Sequence, residues 1–323
     1  MLGKQNNEKT ALLIGGAGHI GSYVANKLLE LGLHVVVYDG FVQYVTPTKN
    51  NYNEIIQLRF PNDRVEIVRG FVENKKLLKH TIEKHKPSYI INLAATPLAQ
   101  IGLEYSEEYY KSIMEGNTNC LEIISELSFV ERFMYISSSM IYGNFTKTPC
   151  PEDHPKTPLN VYGGFKYASE ILTETYGRIY NIPWTIVRPS SVYGAGDCNM
   201  RVFQIFIEKA IREKEITICH DGLLDFTYVE DTAEGIVLAL LNPNAEHQTY
   251  NITRGEGRSL EEGVEILKKY FPDLKVNHKK LDNPNRPIRG ALDITKAREE
   301  LGYSPKYSLE DGLKKYVEWY TSI

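Results

Sequence analysis

The stretch that decides the fold is Leu12-Leu13-Ile14-Gly15-Gly16-Ala17-Gly18-His19-Ile20-Gly21, an apolar run that meets a cluster of glycines. These glycines satisfy two spacings, GxxGxxG counted from Gly15 and GxGxxG counted from Gly16. The apolar residues predict a β-strand, and the residues after the glycines predict the first turn of a helix. Such a turn lets a pyrophosphate lie against bare backbone N–H groups, where the helix dipole favours an anion. The pattern therefore predicts a dinucleotide site, against the alternative of a tight turn without a ligand.

Outward from this turn, short apolar runs alternate with amphipathic segments through the first half of the chain. Such alternation predicts parallel strands that helices cover on both faces. We therefore expect an α/β fold with a doubly wound parallel (Rossmann) sheet. The predicted strands are Thr10–Gly15, His34–Asp39, Val65–Arg69, Tyr89–Leu93, Arg132–Ser137 and Trp184–Arg188. The predicted helices are His19–Leu31, Asn74–His85, Ser106–Leu127 and Val161–Tyr180.

Beyond Arg188 the alternation ends, and glycines and prolines separate shorter elements. This change predicts a second, smaller α/β lobe that is interleaved with the first. Thr227–Leu241 again has the apolar periodicity of a helix, so the chain is expected to return to the first lobe before it completes the second. We expect a cofactor-binding domain of residues 1–188 and 222–252 and a substrate-binding lobe of residues 189–221 and 253–323.

The amino-acid composition limits the classes of molecule that the protein is expected to bind. The 37 Lys and Arg residues against 41 Asp and Glu residues give a net charge of −4, which offers no field for nucleic acid or an anionic membrane. No apolar stretch approaches the ~20 residues that span a bilayer. The four cysteines form no CxxC pattern, so we expect no metal and a reducing cytoplasm. The polar segment Met1–Thr10 does not have the pattern of a signal peptide.

Asp39 stands at the end of the second predicted strand, where a carboxylate can accept hydrogen bonds from the adenosine ribose of a dinucleotide. Its charge would repel a 2'-phosphate, so NAD is favoured over NADP. The alternative is an aspartate that only caps a loop. His19, inside the glycine cluster, is expected to pack at the helix start, with a ligand role as the lesser alternative.

Two further clusters carry reactive side chains. Tyr162-Gly163-Gly164-Phe165-Lys166 places a tyrosine and a lysine on one face near the start of a predicted helix. A tyrosine of pKa ~10 is a poor base near neutral pH, but a neighbouring ammonium group lowers that pKa. Ser137-Ser138-Ser139-Met140-Ile141-Tyr142-Gly143 follows a strand, at the edge where doubly wound sheets bind ligands. The alternative for the Tyr162–Lys166 motif is a solvated helix face, and the alternative for the serine motif is a serine-rich turn without function.

With these three motifs the sequence resembles the extended short-chain dehydrogenase/reductase family, in particular its nucleotide-sugar epimerases, dehydratases and reductases. The resemblance covers nearly the whole chain. Further segments that carry it are Asn92-Leu93-Ala94-Ala95, Arg188-Pro189-Ser190-Ser191-Val192-Tyr193-Gly194, Asp225-Phe226-Thr227-Tyr228-Val229-Glu230-Asp231, Tyr250-Asn251-Ile252, Asp293-Ile294-Thr295-Lys296-Ala297 and Leu301-Gly302-Tyr303-Ser304-Pro305. It implies an NAD-dependent enzyme whose partner is a nucleotide-diphosphate sugar.

The resemblance also implies residue roles. Tyr162 would remove the proton of a sugar hydroxyl, usually at C4, while NAD accepts the hydride. Lys166 would hold the nicotinamide ribose and lower the Tyr162 pKa, and Ser138 would hydrogen-bond the sugar oxygen. The expected cofactor contacts are Gly15, Gly18, His19, Ile20, Gly21, Asp39, Ala94, Ala95, Ser137, Tyr162, Lys166 and Pro189. The expected substrate contacts are Ser138, Ser139, Met140, Ser191, Arg201, Arg286 and Arg289.

The residues after the catalytic hydroxyl limit the reaction. Family dehydratases typically carry an Asp-Glu pair there, whereas this chain has Ser139 and Met140. Neither side chain suits proton transfer at neutral pH, so 4,6-dehydration is disfavoured. A 4-epimerase is therefore expected, with a net 4-dehydrogenase or 4-ketoreductase as the alternative. A dehydratase or a non-catalytic NAD-binding sensor is less favoured, since the Ser, Tyr and Lys set is complete.

Two positions depart from the family pattern. Phe71 stands where many relatives carry an aspartate for the adenine, which leaves stacking or backbone contacts. Leu224 stands where relatives often place an arginine for the diphosphate. The candidates for that role are Arg201, Arg286 and Arg289, since guanidinium groups suit phosphate oxygens, and their alternative is solvated surface charge.

The resemblance further predicts self-association as a homodimer or higher homo-oligomer. The predicted helices Ser106–Leu127 and Val161–Tyr180 correspond to the pair that forms a four-helix dimer contact in many relatives. Ordinary intramolecular core is the competing interpretation of their apolar residues. The residues that could supply the contact are Ile113, Leu121, Ile124, Ile171 and Leu172.

Overall fold

The computed structural model describes residues 9–42, 57, 59–60, 64–96, 106–219, 222–279 and 286–322. Most of the polar segment Met1–Thr10 therefore lies outside the described residues. The strands, in chain order, are β1 (Thr10–Ile14), β2 (His34–Asp39), β3 (Glu66–Arg69), β4 (Tyr89–Asn92), β5 (Arg132–Ile136), β6 (Trp184–Arg188), β7 (Val192–Tyr193), β8 (Ile216–Ile218), β9 (Leu224–Asp225), β10 (Thr227–Tyr228), β11 (Gln248–Asn251), β12 (Gly257–Arg258) and β13 (Val276–His278).

The helices follow in the same order. They are α1 (His19–Glu30), α2 (Lys75–His85), α3 (Ser106–Tyr109), α4 (Gly116–Ile124), α5 (Val161–Tyr180), α6 (Val202–Ile211), α7 (Val229–Leu241), α8 (Leu260–Lys268), α9 (Thr295–Leu301) and α10 (Leu309–Ser322). A π-helical turn, Tyr110–Glu115, joins α3 to α4, and short 3₁₀ turns span Ser139–Tyr142 and Pro243–Ala245.

A seven-stranded parallel sheet in the order β3-β2-β1-β4-β5-β6-β11 forms the larger lobe. The chain runs outward from β1 to β3 and then crosses back to β4 on the other side of β1. This reversal opens a crevice at the carboxyl ends of β1 and β4, where doubly wound folds bind ligands. The expected fold class is confirmed, and β11 adds a strand that the alternation did not predict.

Each predicted strand and helix of the first half forms, with ends shifted by a few residues at most. In β2, Val35, Val36 and Val37 are all fully buried, as expected where helices cover both faces of a parallel sheet. Helix α2 begins after Asn74, whose side chain accepts a hydrogen bond from the backbone N–H of Leu77. These local signals explain why the boundaries were predictable.

The predicted helix Ser106–Leu127 differs in two ways. It is interrupted by the π-helical turn Tyr110–Glu115, and such turns are frequent at functional sites. It also ends earlier, at Ile124, because the N–H groups of Glu126 and Leu127 bond to carbonyls three residues back and tighten the last turn. The period of the sequence does not distinguish these variants from one continuous α-helix.

The segment Thr227–Leu241, where the sequence predicts a helix, forms α7 from Val229 onward. Helix α7 packs against α1, and the two helices share a core with β1 and β2. Ala233, Ile236 and Leu240 of α7 are buried in this core beside Leu28 of α1. The residues before Val229 form the short strand β10 instead, which pairs with β7.

The smaller lobe has its own core, built on short strand pairs β8-β13 and β9-β12 and on helices α6, α8 and α10. Aromatic rings dominate it, with the centroids of Phe203 and Phe226 4.6 Å apart. Helix α9, which our division assigns to this lobe, has Ala297 and Leu301 in the larger core beside α7. The exact domain boundaries stay a prediction.

Within the described ranges, no helix is long and apolar enough to cross a membrane. The expected dimer surface is partly wrong, because Ile113, Leu121 and Ile124 are buried inside the protomer. Ile171 is 46% exposed on α5, and Leu172 is packed only partly against the core. The competing interpretation therefore holds for three of these residues, whereas Ile171 is exposed on α5.

Candidate active site

The glycine turn after β1 needs glycine for steric reasons. Gly15 has φ +77°, and a Cβ there would lie 2.7 Å from the backbone nitrogen of Ala94 after β4. A Cβ on Gly21 would lie 2.7 Å from the Cα of Gly16. Gly18 begins α1 without a side-chain cap, so the first N–H groups of the helix stay available to an anion. This arrangement fits the pyrophosphate of a dinucleotide.

Asp39 lies beside that turn at the end of β2. Its carboxylate accepts hydrogen bonds from the backbone N–H of Ala17 at 2.9 Å and of Phe41 at 2.7 Å. Burial raises the pKa of Asp39, and these two N–H groups oppose the shift. An ionised carboxylate accepts about four hydrogen bonds, so two sites remain for ribose hydroxyls. Asp39 is thus a support of the glycine turn as well as a candidate ribose ligand.

A cleft of about 690 Å³ runs from this turn along the carboxyl edge of the sheet. Of the predicted site residues, only Arg286 does not line it; Arg286 donates instead to the carbonyl of Cys219 at 3.4 Å. Phe71, half exposed, lines the end near Asp39. The lining includes Gly15, Gly18, His19, Ile20, Gly21, Asp39, Ala94, Ala95, Ser137, Ser138, Ser139, Met140, Tyr162, Lys166, Pro189, Ser191, Arg201 and Arg289.

Tyr162 and Ser138 meet in the middle of the cleft. Tyr162 lies in the first turn of α5, which Asn160 caps by accepting from the N–H of Gly163 at 2.8 Å. Burial raises the pKa of Tyr162, while a hydrogen bond to Ser138 and the charge of Arg201 act in the opposite direction. A hydroxyl pair of this kind can hold and exchange the proton of a bound alcohol.

Lys166, one turn along α5, is buried, and its Nζ donates to the carbonyl of Ile136 at 2.7 Å. Burial lowers the pKa of Lys166 to about 7. Its Nζ lies 5.9 Å from the centre of the Tyr162 ring, and it is not among the groups that lower the pKa of Tyr162. The role of Lys166 in lowering the pKa of Tyr162 therefore stays a prediction.

A buried ion pair fixes α5 against the sheet. Arg188, the last residue of β6, donates to both oxygens of Glu170 at 2.9 and 2.7 Å. The same guanidinium donates to the hydroxyl of Tyr142 at 2.8 Å. Because all these groups are buried, a change of register would leave a charge unpaired. The pair thereby positions the face of α5 that carries Tyr162 and Lys166.

Sequence reasoning missed a clamp between the lobes. Arg59 is buried and donates to the carbonyls of Ala17 and Gly196 and to the sulfur of Cys198. His19 Nε2 lies 3.0 Å from the carbonyl oxygen of Ala195 and therefore carries the ring proton, since a carbonyl only accepts. Burial lowers the pKa of His19 to about 4, so the ring is neutral at pH 7. No motif surrounds Arg59, so the sequence contained no signal for it.

Residues 195–198, which His19 and Arg59 contact, lead along the chain to Arg201. Asp197 is buried, and its Oδ2 lies 3.8 Å from Nε of Arg201. Burial would raise the pKa of Asp197, but the charges of Arg201 and His19 outweigh it and lower that pKa. Arg201 also donates to the carbonyl of Val192 at 2.9 Å. Arg201 is thus held in the cleft wall on the side of Tyr162.

Arg289 approaches the serine turn from the opposite wall. Its Nη1 donates to the hydroxyl of Ser139 at 3.3 Å. Burial lowers the pKa of Arg289 to about 10, with a smaller contribution from the charge of Arg286. Ser191, also on the cleft wall, has φ +39°, a strained conformation that is typical of ligand-binding positions. Over the part of the chain that the structure covers, no cluster of three or more His, Cys, Asp or Glu side chains is arranged to hold a metal.

Comparisons with known proteins agree with this geometry. Residues 11–253 match the NAD dependent epimerase/dehydratase family. The chain belongs to this family. A putative UDP-glucose 4-epimerase of Methanocaldococcus jannaschii is 32% identical, with 95% of this chain and 97% of that one covered. UDP-glucuronate 4-epimerase 4 of Arabidopsis thaliana is 29% identical, with 98% of this chain and 76% of that one covered.

Solved structures of the epimerase/dehydratase family superpose over nearly the whole chain. A UDP-glucuronic acid 4-epimerase from Bacillus cereus, in complex with UDP-glucuronic acid and NAD, has a TM-score of 0.88 at 28% identity, covering 97% of this chain and 99% of that one. A UDP-glucose 4-epimerase from Thermotoga maritima, with UDP-glucose, has a TM-score of 0.87 at 30% identity and the same coverage. The predicted family, enzyme class and NAD cofactor are confirmed.

Proposed function

We propose that this protein inverts the configuration at C4 of a nucleotide-diphosphate sugar, with NAD as its cofactor. The observation that carries the proposal is that Tyr162 and Ser138 line one cleft with a glycine turn that fits a dinucleotide. The names of the relatives favour a uridine diphosphate, since they are UDP-glucose and UDP-glucuronate 4-epimerases. The site residues predicted from the sequence are proposed in the roles given above.

The reaction follows from these side chains. The Tyr162 oxygen takes the proton of the C4 hydroxyl, and the Ser138 hydroxyl donates to the same sugar oxygen as it becomes a ketone. NAD, when bound, supplies the acceptor for the C4 hydride. Lys166, which lines the cleft, would hold the ribose of the bound cofactor. Once the keto sugar has rotated to present its opposite face, the hydride would return to C4 on that face, and Tyr162 would return the proton to the C4 oxygen.

The serine turn argues against loss of water from the sugar. Ser139 is engaged by Arg289, and Met140, also in the cleft wall, has only a thioether. Neither can act as the acid and base that removal of the C5 proton and the C6 hydroxyl requires. Products should therefore keep the oxygen at C6.

The test is incubation of NAD-loaded protein with UDP-glucose and UDP-glucuronate in deuterated water, read by mass spectrometry and proton NMR. Unchanged mass with inverted C4 coupling supports the epimerase. Loss of one water with solvent deuterium at C5 indicates a dehydratase, and a gain or loss of two hydrogens indicates a reductase or dehydrogenase. Tyr162→Phe is the matched control and should leave either sugar unchanged.

We also infer a cytoplasmic homodimer with the domain division given above. All four cysteines are free, which supports a reducing compartment. The exposed apolar side chains Ile171 and Ile179 of α5 support self-association through that helix. Light scattering should show a dimer that Ile171→Glu converts to monomers; an unchanged mass would contradict this contact.

A further inference from the structure

The sugar end of the cleft holds a guanidinium that the C4 reaction does not use. Arg289 contacts Ser139, but its buried Nε has no hydrogen-bond partner within the described residues. The acidic group that acts on it through space is Asp225. The Asp225 carboxylate already accepts from Thr253 at 2.9 Å, from the N–H of Gly255, and from the N–H of Leu292 at 3.0 Å. A buried charge so weakly compensated is a site for an anion.

The position of Arg289 says which part of the substrate that anion belongs to. Ser139 directly follows Ser138, the partner of Tyr162, and neighbouring Cα atoms are only ~3.8 Å apart. Arg289 therefore lies near the carbon that reacts, C4. In a nucleotide sugar the diphosphate is attached at C1, across the ring from C4. The group that Arg289 faces is thus a substituent of C4 or of a carbon beside it.

We propose that Arg289 binds a carboxylate on C5, the carbon next to the reacting one, and that the substrates are nucleotide sugars of the uronic acid class. The inference rests on the proposed reaction at C4. A guanidinium matches a carboxylate with two parallel hydrogen bonds, and Arg289 has its Nε and its second Nη group for this purpose. A neutral hydroxymethyl group on C5 would leave the guanidinium without its ion pair, so the site discriminates against it.

The neighbouring arginines support the assignment of Arg289 to the C5 carboxylate. Arg286 adds positive charge behind Arg289, which strengthens the attraction for an anion. Arg201, which donates to the carbonyl of Val192 in β7, lines the same cleft and remains the candidate for the diphosphate. The two cleft arginines then serve two different anionic groups of one substrate.

The test measures binding without turnover. The NAD-loaded Tyr162→Phe protein is titrated by calorimetry with UDP-glucuronate, UDP-glucose and UDP, with and without Arg289→Gln. Charge-assisted hydrogen bonds of this kind correspond to a preference of roughly 10- to 100-fold for UDP-glucuronate over UDP-glucose. Arg289→Gln should remove that preference and leave the binding of UDP-glucose and UDP nearly unchanged. The control, Arg286→Gln, should keep most of the preference.

Two results would overturn the proposal. One is equal binding of the two sugars before Arg289 is changed. The other is an equal loss of affinity for all three ligands in Arg289→Gln, which would assign this side chain to the diphosphate. Because binding is measured without the reaction, a protein that prefers the uronate but epimerises neither sugar would refute the proposed function and leave this inference standing.

Discussion

The two ends of the cleft are built in different ways. The cofactor end is formed by contiguous backbone, where Gly15 and Gly21 leave no room for a Cβ and Gly18 begins a helix. The sugar end is formed by the long side chains of Arg201 and Arg289, which arrive from distant segments. The class of cofactor is therefore encoded in one short sequence motif, whereas the choice of substrate depends on side chains that only the fold brings together.

Tyr162 stands where the two ends meet, and its removal should have the largest effect. Tyr162→Phe deletes the base without changing the glycine turn, so turnover should fall by ~10² to 10⁴ while NAD binding stays. Initial rates and a cofactor titration measure both quantities. Tyr180→Phe, at the exposed end of the same helix, is the control and should keep full activity. Half of the original turnover in Tyr162→Phe would refute the assignment.

Two glycine substitutions can separate the effect of a steric clash at the cofactor end from the effect of a strained backbone conformation. Gly15 and Gly32 have similar φ values, +77° and +81°, but only Gly15 has a neighbour, Ala94, within reach of a new Cβ. Gly32→Ala should cost about 1 kcal/mol of unfolding free energy from conformational strain alone. Gly15→Ala adds a clash with backbone and should cost about 2 kcal/mol or more.

Denaturant unfolding and NAD titration of both glycine variants check this prediction. Gly15→Ala should also lose most of its affinity for NAD, whereas Gly32→Ala should bind it normally. Equal behaviour of the two variants would show that the turn tolerates a side chain, and the contrast between the two ends of the cleft would lose its steric basis.

His19 links the two ends, and its titration gives a pH test. Burial holds its pKa at about 4 in the folded protein, below the usual 6.5, so the unfolded chain binds more protons between these values. The stability contributed by neutral His19 is therefore complete above pH 6.5 and is lost as the pH falls toward 4. Between pH 7 and pH 5 this amounts to about 2 kcal/mol.

His19→Gln removes the titrating group but keeps an amide N–H that can reach the carbonyl of Ala195. Urea unfolding at pH 7 and pH 5 should show that this variant loses about 2 kcal/mol less than the unmodified protein. An identical loss in both proteins would show that the ring is not held neutral by burial.

The same contrast explains what the sequence predicted. The first six strands of the sheet, most of its helices and the positions of Tyr162, Ser138 and Asp39 follow from local periodicity and motifs, whereas β11 and the break in the helix predicted at Ser106–Leu127 do not. The clamp of Arg59 on the loop at Gly196 joins segments far apart in the chain, and no local pattern reports such a contact. The sequence also did not decide whether Ile113 is buried inside the protomer or exposed for a partner. An amphipathic helix has the same apolar period whether it packs in a core or at an interface.

The smallest expected effect concerns cofactor choice at Asp39, which has two roles at the cofactor end. Its carboxylate supports the glycine turn through Ala17 and Phe41, and its charge would repel a 2'-phosphate. Asp39→Asn removes the charge but keeps an oxygen acceptor, whereas Asp39→Ala removes both. Both variants should narrow the preference for NAD over NADP by about 10-fold, and Asp39→Ala should also weaken NAD itself more than Asp39→Asn does. Titration of NAD and NADP into protein from which bound cofactor has been removed measures these affinities. If the preference is unchanged while Asp39→Ala alone loses stability, Asp39 is only a support of the turn, and the selection of NAD must reside in the backbone of the cofactor end.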